Sequence, residues 1–177
     1  MKNWQARFTS CVLFNRLSGN QNLHALTSCP HNPQVLRIEL TKKQGESPIV
    51  MQYRKFSVGS KSENYKLTVG DYSGPDGYDA LSSHNGHTFS VKKNGEHSGD
   101  HCVSQISGGW WFNGCIHSNL NGWKFKENVP ETSKGLGITW YNRNDENSYF
   151  NVYSEVEMKI RDADFEFCMG SLTYEAH

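Results

Sequence analysis

The sequence has no excess charge of either sign. Its 177 residues include 18 lysines and arginines and 18 aspartates and glutamates. Nucleic-acid-binding proteins normally carry a basic excess that neutralises phosphates, so the balance argues against a nucleic-acid partner. The balance also argues against disorder, because disordered chains combine low hydrophobicity with high net charge. The length is enough for one domain with its own core.

Long hydrophobic runs are missing as well. The apolar run nearest the start of the chain, residues 11–14, has four residues, whereas a membrane-spanning helix needs roughly 20. Lys2 and Arg7 precede this run, but it lacks the hydrophobic length and the small-residue cleavage site of a secretory signal peptide. We therefore expect no membrane span and identify no signal peptide.

The cysteine spacing excludes the common structural zinc motifs. The chain has 5 cysteines, an odd number, and none stands in a Cys-x2-Cys or Cys-x2-His arrangement. Cys102 and Cys115 enclose a segment rich in glycine and turn residues, and a bridge there would stabilise the fold by about 3 kcal/mol. Two buried free thiols are an equal alternative on spacing alone.

Alternation of apolar and polar residues predicts a sheet in the first half of the chain. Residues 35–69 contain three alternating runs separated by two polar turns, the pattern of an antiparallel meander. In the first run, Leu36, Ile38 and Leu40 take the apolar positions. Residues 137–141 and 151–160 are further strand candidates.

Residues 70–135 are dense in glycine, asparagine, serine and histidine, a composition usually typical of linkers. Large aromatic residues interrupt this stretch, and flexible linkers do not carry them: Trp110, Trp111, Phe112, Trp123 and Phe125. We therefore predict a loop-rich subdomain packed on aromatic side chains.

The tryptophans and histidines here each have two interpretations. Trp110 and Trp111 could offer a ring to a sugar, but such a pair inside a cysteine-bounded loop is more often core, and we predict core for both. Trp123 and Trp140 receive the same prediction. Clustered histidines indicate a metal site, but on polar loops they are more often solvated turn residues. The histidines concerned are His84, His87, His97, His101 and His117.

Catalytic residue types occur without a catalytic pattern. A hydrolase needs a nucleophile, a base and an orienting group in one place. Asp100, His101 and Ser104 are neighbours in sequence, but adjacency in sequence is not convergence in space. We predict no enzymatic activity, and a metallohydrolase using the loop histidines is kept only as a contrasting hypothesis.

A series of motifs then becomes specific. The segments 65–90, GGWWFNGC, SNLNG and VEMKIR follow one another, with GNQNLHALT and LRIEL upstream. In this order they resemble the fibrinogen C-terminal domain, a family that includes fibrinogen chains, ficolins, tachylectins, angiopoietins and tenascins. The similarity covers residues 19–161. Residues 1–18 are an atypical N-terminal segment that does not resemble the family's first subdomain, and residues 162–177 are a tail.

The resemblance implies a non-enzymatic, extracellular recognition domain. Family members bind acetylated sugars, peptide termini or receptors through pockets in the C-terminal subdomain. Cys102 and Cys115 fall on the family's pocket disulfide, and the family tends to have a cis peptide at the position of Gly114–Cys115, where a non-proline cis bond costs about 3 kcal/mol. The predicted fold class is therefore α+β, with a central antiparallel sheet followed by a loop-rich, disulfide-pinned C-terminal subdomain.

The calcium loop of the family is altered in this chain. In the family, aspartates after the FS pair supply hard oxygen ligands to the ion. Here lysine and glycine take the matching positions, beginning with Lys92 and Lys93. Glu96 and Asp100 are the remaining weak calcium candidates, and two carboxylates beside two lysines make a poor divalent-cation site. We expect no other cofactor.

The ligand pocket of the family is altered too. Ile116 stands where acetyl-binding members usually have histidine, with His117 one residue later, and Ile106 and Lys134 align with pocket tyrosines. Asn119 matches the ficolin-like pattern, but it is equally a turn residue whose side chain bonds backbone. The candidate pocket residues are Ile106, Trp110, Trp111, Phe112, Cys115, Ile116, His117, Asn119 and Lys134.

Two functions from different classes remain. In the first, the chain binds a glycan or a protein ligand through the 100–140 region. In the second, it is a structural or receptor-interaction module, or a truncated family member without a working sugar pocket. The changes at Ile106, Ile116 and Lys134 motivate the second. The partner is a glycan or protein ligand in either case, and a homo-oligomer is compatible with both.

Overall fold

Strands dominate the secondary structure. A computed structural model describes residues 6–9, 19–29, 33–97, 105–114 and 117–163. In these ranges the elements are β1 (Ala6–Thr9), α1 (Gly19–Thr27), β2 (Gln34–Thr41), β3 (Ile49–Val58), β4 (Leu67–Ser73), β5 (Ser90–His97), β6 (Gln105–Trp110), β7 (Ser118–Asn119), β8 (Thr139–Trp140) and β9 (Glu155–Asp162), with 3-10 helices at Lys61–Glu63, Ser82–His84, Glu131–Ser133 and Glu146–Phe150.

The largest sheet has five strands in the order β1-β9-β2-β3-β4, and every neighbouring pair is antiparallel. The consecutive strands β2, β3 and β4 form the predicted meander, which is confirmed. Strand β9 lies between β1 and β2, so the sheet joins segments from both halves of the chain. Two small antiparallel pairs, β5-β6 and β7-β8, form the remaining sheets.

The register of the sheet explains the alternating sequence. Leu36 pairs with Tyr53, and Ile38 pairs with Met51 on one side and Met158 on the other. All five side chains are buried in one apolar core. Because side chains in a strand point to alternate faces, each run of alternating residues places its apolar members in this core.

The opposite face of the sheet carries a group of paired charges. The Lys159 ammonium lies 2.6 Å from a Glu39 carboxylate oxygen and 2.6 Å from a Glu157 carboxylate oxygen. Arg37 also donates to Glu39. Burial alone would raise the pKa of Glu39, but the hydrogen bonds from Lys159 and Arg37 outweigh it and hold that pKa below its ordinary value.

One outer edge of the sheet is covered by a loop. The Leu67 N–H donates to the His87 carbonyl, and the Gly86 N–H donates back to the Leu67 carbonyl. The Val69 N–H donates to the side chain of Asn85 at 2.9 Å. These bonds occupy main-chain groups of β4 that an edge strand would otherwise present to another chain.

The predicted loop-rich region contains more strand than its composition indicates. Strand β4 continues to Ser73, and β5 and β6 pair as antiparallel partners. Glycines hide this pairing in the sequence because they contribute no alternation. Gly108 has a φ of 77°, and a Cβ at this position would lie 2.2 Å from the Asn121 carbonyl oxygen, so a side chain is excluded.

The tryptophan predictions are confirmed with one exception. Trp110, Trp111 and Trp140 are fully buried in the main core, and the rings of Trp110 and Trp111 meet edge to face at 5.2 Å. Trp123 is 46% exposed, so its core prediction is wrong. Its backbone makes hydrogen bonds to Leu136 and Ile138. The residue that packs closely against this segment is the neighbouring Gly122, where a Cβ would lie 2.1 Å from the Gly137 carbonyl oxygen.

The helices in the part of the chain that the structure describes are not membrane spans. None of those in the described ranges has both the length and the apolar character that crossing a membrane requires.

The paired charges generate a stability prediction. Replacing Lys159 by methionine keeps the stem but removes the ammonium that Glu39 and Glu157 share in partly buried positions, so we expect K159M to lower the free energy of unfolding by about 3 kcal/mol. The measurement is urea denaturation at neutral pH. The matched control is K55M, because the Lys55–Asp71 pair is exposed and contributes less than about 1 kcal/mol. Equal losses in the two variants would contradict the prediction.

Candidate ligand-binding site

The predicted pocket residues separate into two layers. Trp110 and Trp111 form the lower layer, and their indole N–H groups have internal acceptors. Trp111 donates to the Tyr65 carbonyl at 2.7 Å, and Trp110 lies 3.3 Å from the Ser118 hydroxyl oxygen. Buried indoles with satisfied N–H groups support a surface from beneath. We call these two residues, which lie in the main core that Phe112 packs against, the floor of the site.

A buried histidine connects the two ends of the loop above this floor. The His84 ring has Nδ1 2.7 Å from the Trp111 carbonyl oxygen, and Nε2 accepts the Ser118 N–H at 3.0 Å. A backbone N–H can only donate, so Nε2 carries no proton and Nδ1–H is the donor. The ring is fully buried, so the prediction of a solvated turn residue is wrong for His84.

The charge state of His84 follows from its surroundings. Burial is the largest cause that lowers the pKa of His84 to about 4; the hydrogen bond to the Trp111 carbonyl opposes it, and the neighbouring His117 and His87 add smaller lowering effects. Protonation of Nε2 would place two donors, this nitrogen and the Ser118 N–H, against each other. The neutral ring is therefore the form that holds residues 111 and 118 together.

Asn119 has a structural role in the described contacts. Its side chain is buried, its amide donates to the Ser107 carbonyl at 2.8 Å, and its oxygen accepts the Asn121 N–H at 3.1 Å. The Asn121 amide in turn donates to the Gly109 carbonyl at 2.7 Å. These bonds connect β6 to the turn after β7. They agree with the interpretation of Asn119 as a turn residue whose side chain bonds to backbone.

The upper layer is a row of rings that we call the aromatic shelf, formed by Phe112, His117, Tyr141, Tyr149 and Phe150. The centroids of His117 and Tyr141 are 5.4 Å apart, and those of Tyr141 and Tyr149 are 5.1 Å apart. Phe112, His117, Tyr141 and Phe150 are half-buried, whereas Tyr149 is buried. The shelf therefore exposes part of its ring surface to solvent, while its buried side packs against the core; we call this buried support, which includes the floor residues, the base of the shelf.

Ile106 and Lys134 both contact rings of the aromatic shelf. Ile106 is buried against Tyr149, with Phe112, Tyr141 and Phe150 around them. The Lys134 ammonium lies 4.9 Å from the centroid of Tyr149 and 5.9 Å from that of Phe150. Both distances are in the range of cation–π attraction.

The loop between the two layers is anchored at Ser83. The Asn113 amide donates to the Ser83 carbonyl at 2.6 Å, and His117 Nδ1 lies 3.0 Å from the Ser83 hydroxyl oxygen. Of the predicted pocket residues, the structure thus places Ile106, Phe112, His117 and Lys134 in or against the aromatic shelf, whereas Trp110, Trp111 and Asn119 are buried.

Sequence reasoning missed three shelf residues, Tyr141, Tyr149 and Phe150. Tyr149 and Phe150 lie on the 3-10 helix Glu146–Phe150, which begins after Asp145, whose carboxylate accepts the Asn147 N–H at 3.0 Å. The cap residue was a visible local signal for this turn. Nothing in the local sequence indicates that the turn faces Lys134.

Several predicted features fall outside the described residues. They are Cys102, Cys115, Ile116, the Gly114–Cys115 peptide bond, Asp100 and the side chain of Glu96. The disulfide and the calcium loop stay predictions. Cys29 is exposed as a free thiol. Within the described ranges, no three histidine, cysteine, aspartate or glutamate residues are grouped as metal ligands.

The comparisons with known proteins agree on one family. The family described as fibrinogen beta and gamma chains, C-terminal globular domain, matches residues 2–163. The chain belongs to this family. The matched range begins upstream of residue 19, our predicted boundary. The fold is accordingly that of a fibrinogen-like globe, an antiparallel sheet with few helices.

Relatives and solved structures show how much of a longer protein this domain represents. Angiopoietin-related protein 7 of Bos taurus is 39% identical over 150 residues, which is 84% of this chain and 41% of that protein. Tenascin-R of Gallus gallus is 35% identical over 144 residues, 81% of this chain and 10% of that protein. The solved fibrinogen-like globe domain of human ANGPTL2 has a TM-score of 0.65 and 27% identity, covering 90% of this chain and 72% of that chain. The chain spans less than half of the two curated relatives.

The buried histidine of this fibrinogen-like domain generates a pH prediction. The unfolded chain binds a proton at His84 near its ordinary pKa of 6.5, whereas the folded chain does so only near 4, so stability is lost as the pH falls between these values. The loss attributable to His84 is roughly 3 kcal/mol over this window.

The measurement compares unfolding free energies of wild type and H84Q from pH 7 to pH 4. We expect H84Q to be less stable at pH 7 and to show a flatter fall toward acid pH. Proton NMR titration of the native His84 ring gives its pKa directly. Parallel pH curves for the two proteins, or a native ring that titrates above 6.5, would refute this account.

Proposed function

We propose that this domain is a non-enzymatic, extracellular recognition module that binds a glycan ligand on the aromatic shelf. The observation that carries the proposal is the row of half-buried rings held in place by a fully packed base. Rigid aromatic side chains give large contact areas and lose little conformational entropy on binding. The base does not need to reorganise, because the floor residues Trp110 and Trp111 already have their hydrogen bonds.

Membership of the fibrinogen-like family supports recognition as the general role. The extracellular location and the absence of catalysis come from the same resemblance. A ligand site near the segment 100–140 is also where the family places its pockets, and the shelf lies against this segment. Any longer protein that contains this domain is proposed to use it in the same role.

A second candidate is a receptor-interaction module without a sugar pocket. A family tyrosine position is taken here by Ile106, which is buried and offers no ring to a ligand. The exposed Trp123 ring, with the Phe125 ring 6.4 Å away, supplies apolar surface of the kind that protein partners cover. The curated relatives named angiopoietin-related protein 7 and tenascin-R are compatible with this candidate.

Substitution of Tyr141 tests the shelf. Its half-buried ring lies between His117 and Tyr149, so Y141A removes the middle of the row, and we expect binding on a printed glycan array to fall at least about tenfold. The matched control is W123A, which removes an exposed ring outside the shelf and leaves glycan binding unchanged. Thermal denaturation confirms that both variants are folded.

The second candidate predicts a different pattern in the same experiment. If the second candidate is correct, the wild type does not bind glycans. The domain instead attaches to cultured cells, and this attachment persists in excess sugar and in the presence of a chelator. In that case protease treatment of the cells abolishes attachment, glycosidase treatment does not, and W123A weakens it more than Y141A.

A further inference from the structure

Lys134 differs from the other positioned lysines in what its ammonium contacts. Lys159 bonds to two carboxylates, and Lys55 lies 3.3 Å from the Asp71 carboxylate. Lys124 donates to the Ser154 carbonyl at 2.7 Å. The Lys134 ammonium has the rings of Tyr149 and Phe150, and within the described residues it makes neither an ion pair nor a hydrogen bond.

We propose that the aromatic shelf selects acidic saccharides, sugars that carry a carboxylate or a sulfate ester, and that Lys134 determines this specificity. The inference rests on the proposed function, because it concerns the ligand of the same shelf. It goes beyond that function in naming the charge of the ligand and the residue that recognises it.

The position of Lys134 is fixed by the backbone around it. Its N–H donates to the Glu131 carbonyl at the end of a 3-10 helix, and two residues later the Leu136 N–H donates to the Ser133 carbonyl at 3.0 Å. Leu136 is buried, and its carbonyl accepts the Ser107 hydroxyl at 2.8 Å. The side chain therefore extends from an anchored segment onto the rings.

Contact with rings leaves the charge of Lys134 available. The face of an aromatic ring attracts a cation through its quadrupole, but it does not neutralise the charge and takes up few of the three N–H donors. The half-buried stem removes water from one side of the ammonium, so an anion on the other side gains more than it would at a fully exposed lysine.

The shape of the surface favours a sugar over an acidic peptide. The half-buried Tyr141 ring, a flat apolar group about the size of one pyranose ring, lies 5.1 Å from the Tyr149 ring, and the Lys134 ammonium lies 4.9 Å from the centroid of Tyr149. A ring that lies on Tyr141 thus reaches Lys134 with an acidic substituent. A positively charged ligand is repelled by the same ammonium, and a neutral sugar gains less from it.

The test uses sugar pairs that differ in charge. Immobilised lactose, 3'-sulfolactose and 3'-sialyllactose are probed with wild type, K134Q, K134R and K126Q. We expect the wild type to bind both acidic sugars at least about tenfold more tightly than lactose, as a hydrogen bond to a charged group implies. K134Q loses this preference and K134R keeps it. K126Q, which removes an exposed lysine that is not part of the shelf, behaves as the wild type.

The outcomes separate this inference from the proposed function. Equal binding of lactose and the acidic sugars, abolished by Y141A, leaves the shelf as the site and overturns the charge preference. Acidic sugar binding that persists in both Y141A and K134Q overturns the shelf itself. Binding of an acetylated tetraglutamate peptide in place of the acidic sugars, or binding of none of these probes, overturns the saccharide class.

Discussion

The pair of hydrogen bonds made by the neutral His84 ring is the constraint on which the candidate site depends. One nitrogen donates to residue 111 and the other accepts from residue 118, so a single side chain fixes both ends of the loop that carries Phe112 and His117. Without these two bonds, the loop residues Phe112 and His117 would no longer be held in position relative to Trp110 and Trp111. A buried imidazole is suited to this role because it has one donor and one acceptor at opposite sides of a rigid ring.

The sheet and the shelf are connected through the same aromatic core. Trp110 and Trp111 pack with the buried residues of β2, β3 and β4 in one cluster, and Phe112 contacts both this cluster and the smaller one around Ile106 and Tyr149. The strands thus position the base, the base positions the loop, and the loop positions the rings. This order of support explains how a region with little regular secondary structure presents a fixed surface.

The parts of this arrangement that depend on neighbours in sequence were predictable, and the parts that depend on distant neighbours were not. Alternation placed Leu36 and Ile38 in the core, because the two-residue period of a strand is visible locally. The burial of His84 depends on acceptors and donors 27 and 34 residues away, and its surrounding glycine, serine and asparagine gave the opposite indication. The core prediction for Trp123 was wrong because composition does not show which residues of this segment face inward: the Trp123 backbone bonds to residues 136 and 138, and its ring is exposed.

The loop that covers the edge of β4 is also the loop that carries His84. It makes hydrogen bonds to Leu67 and Val69 at the strand edge, and its histidine ring makes a hydrogen bond to residue 111 of the recognition loop. A fluctuation that lifts residues 84–87 from the sheet therefore does two things at once: it opens a strand edge to pairing with another molecule, and it releases the recognition loop. The aggregation-prone species and the species that has lost its ligand surface are then one and the same partly open state, so protection against self-association and maintenance of binding are inseparable here.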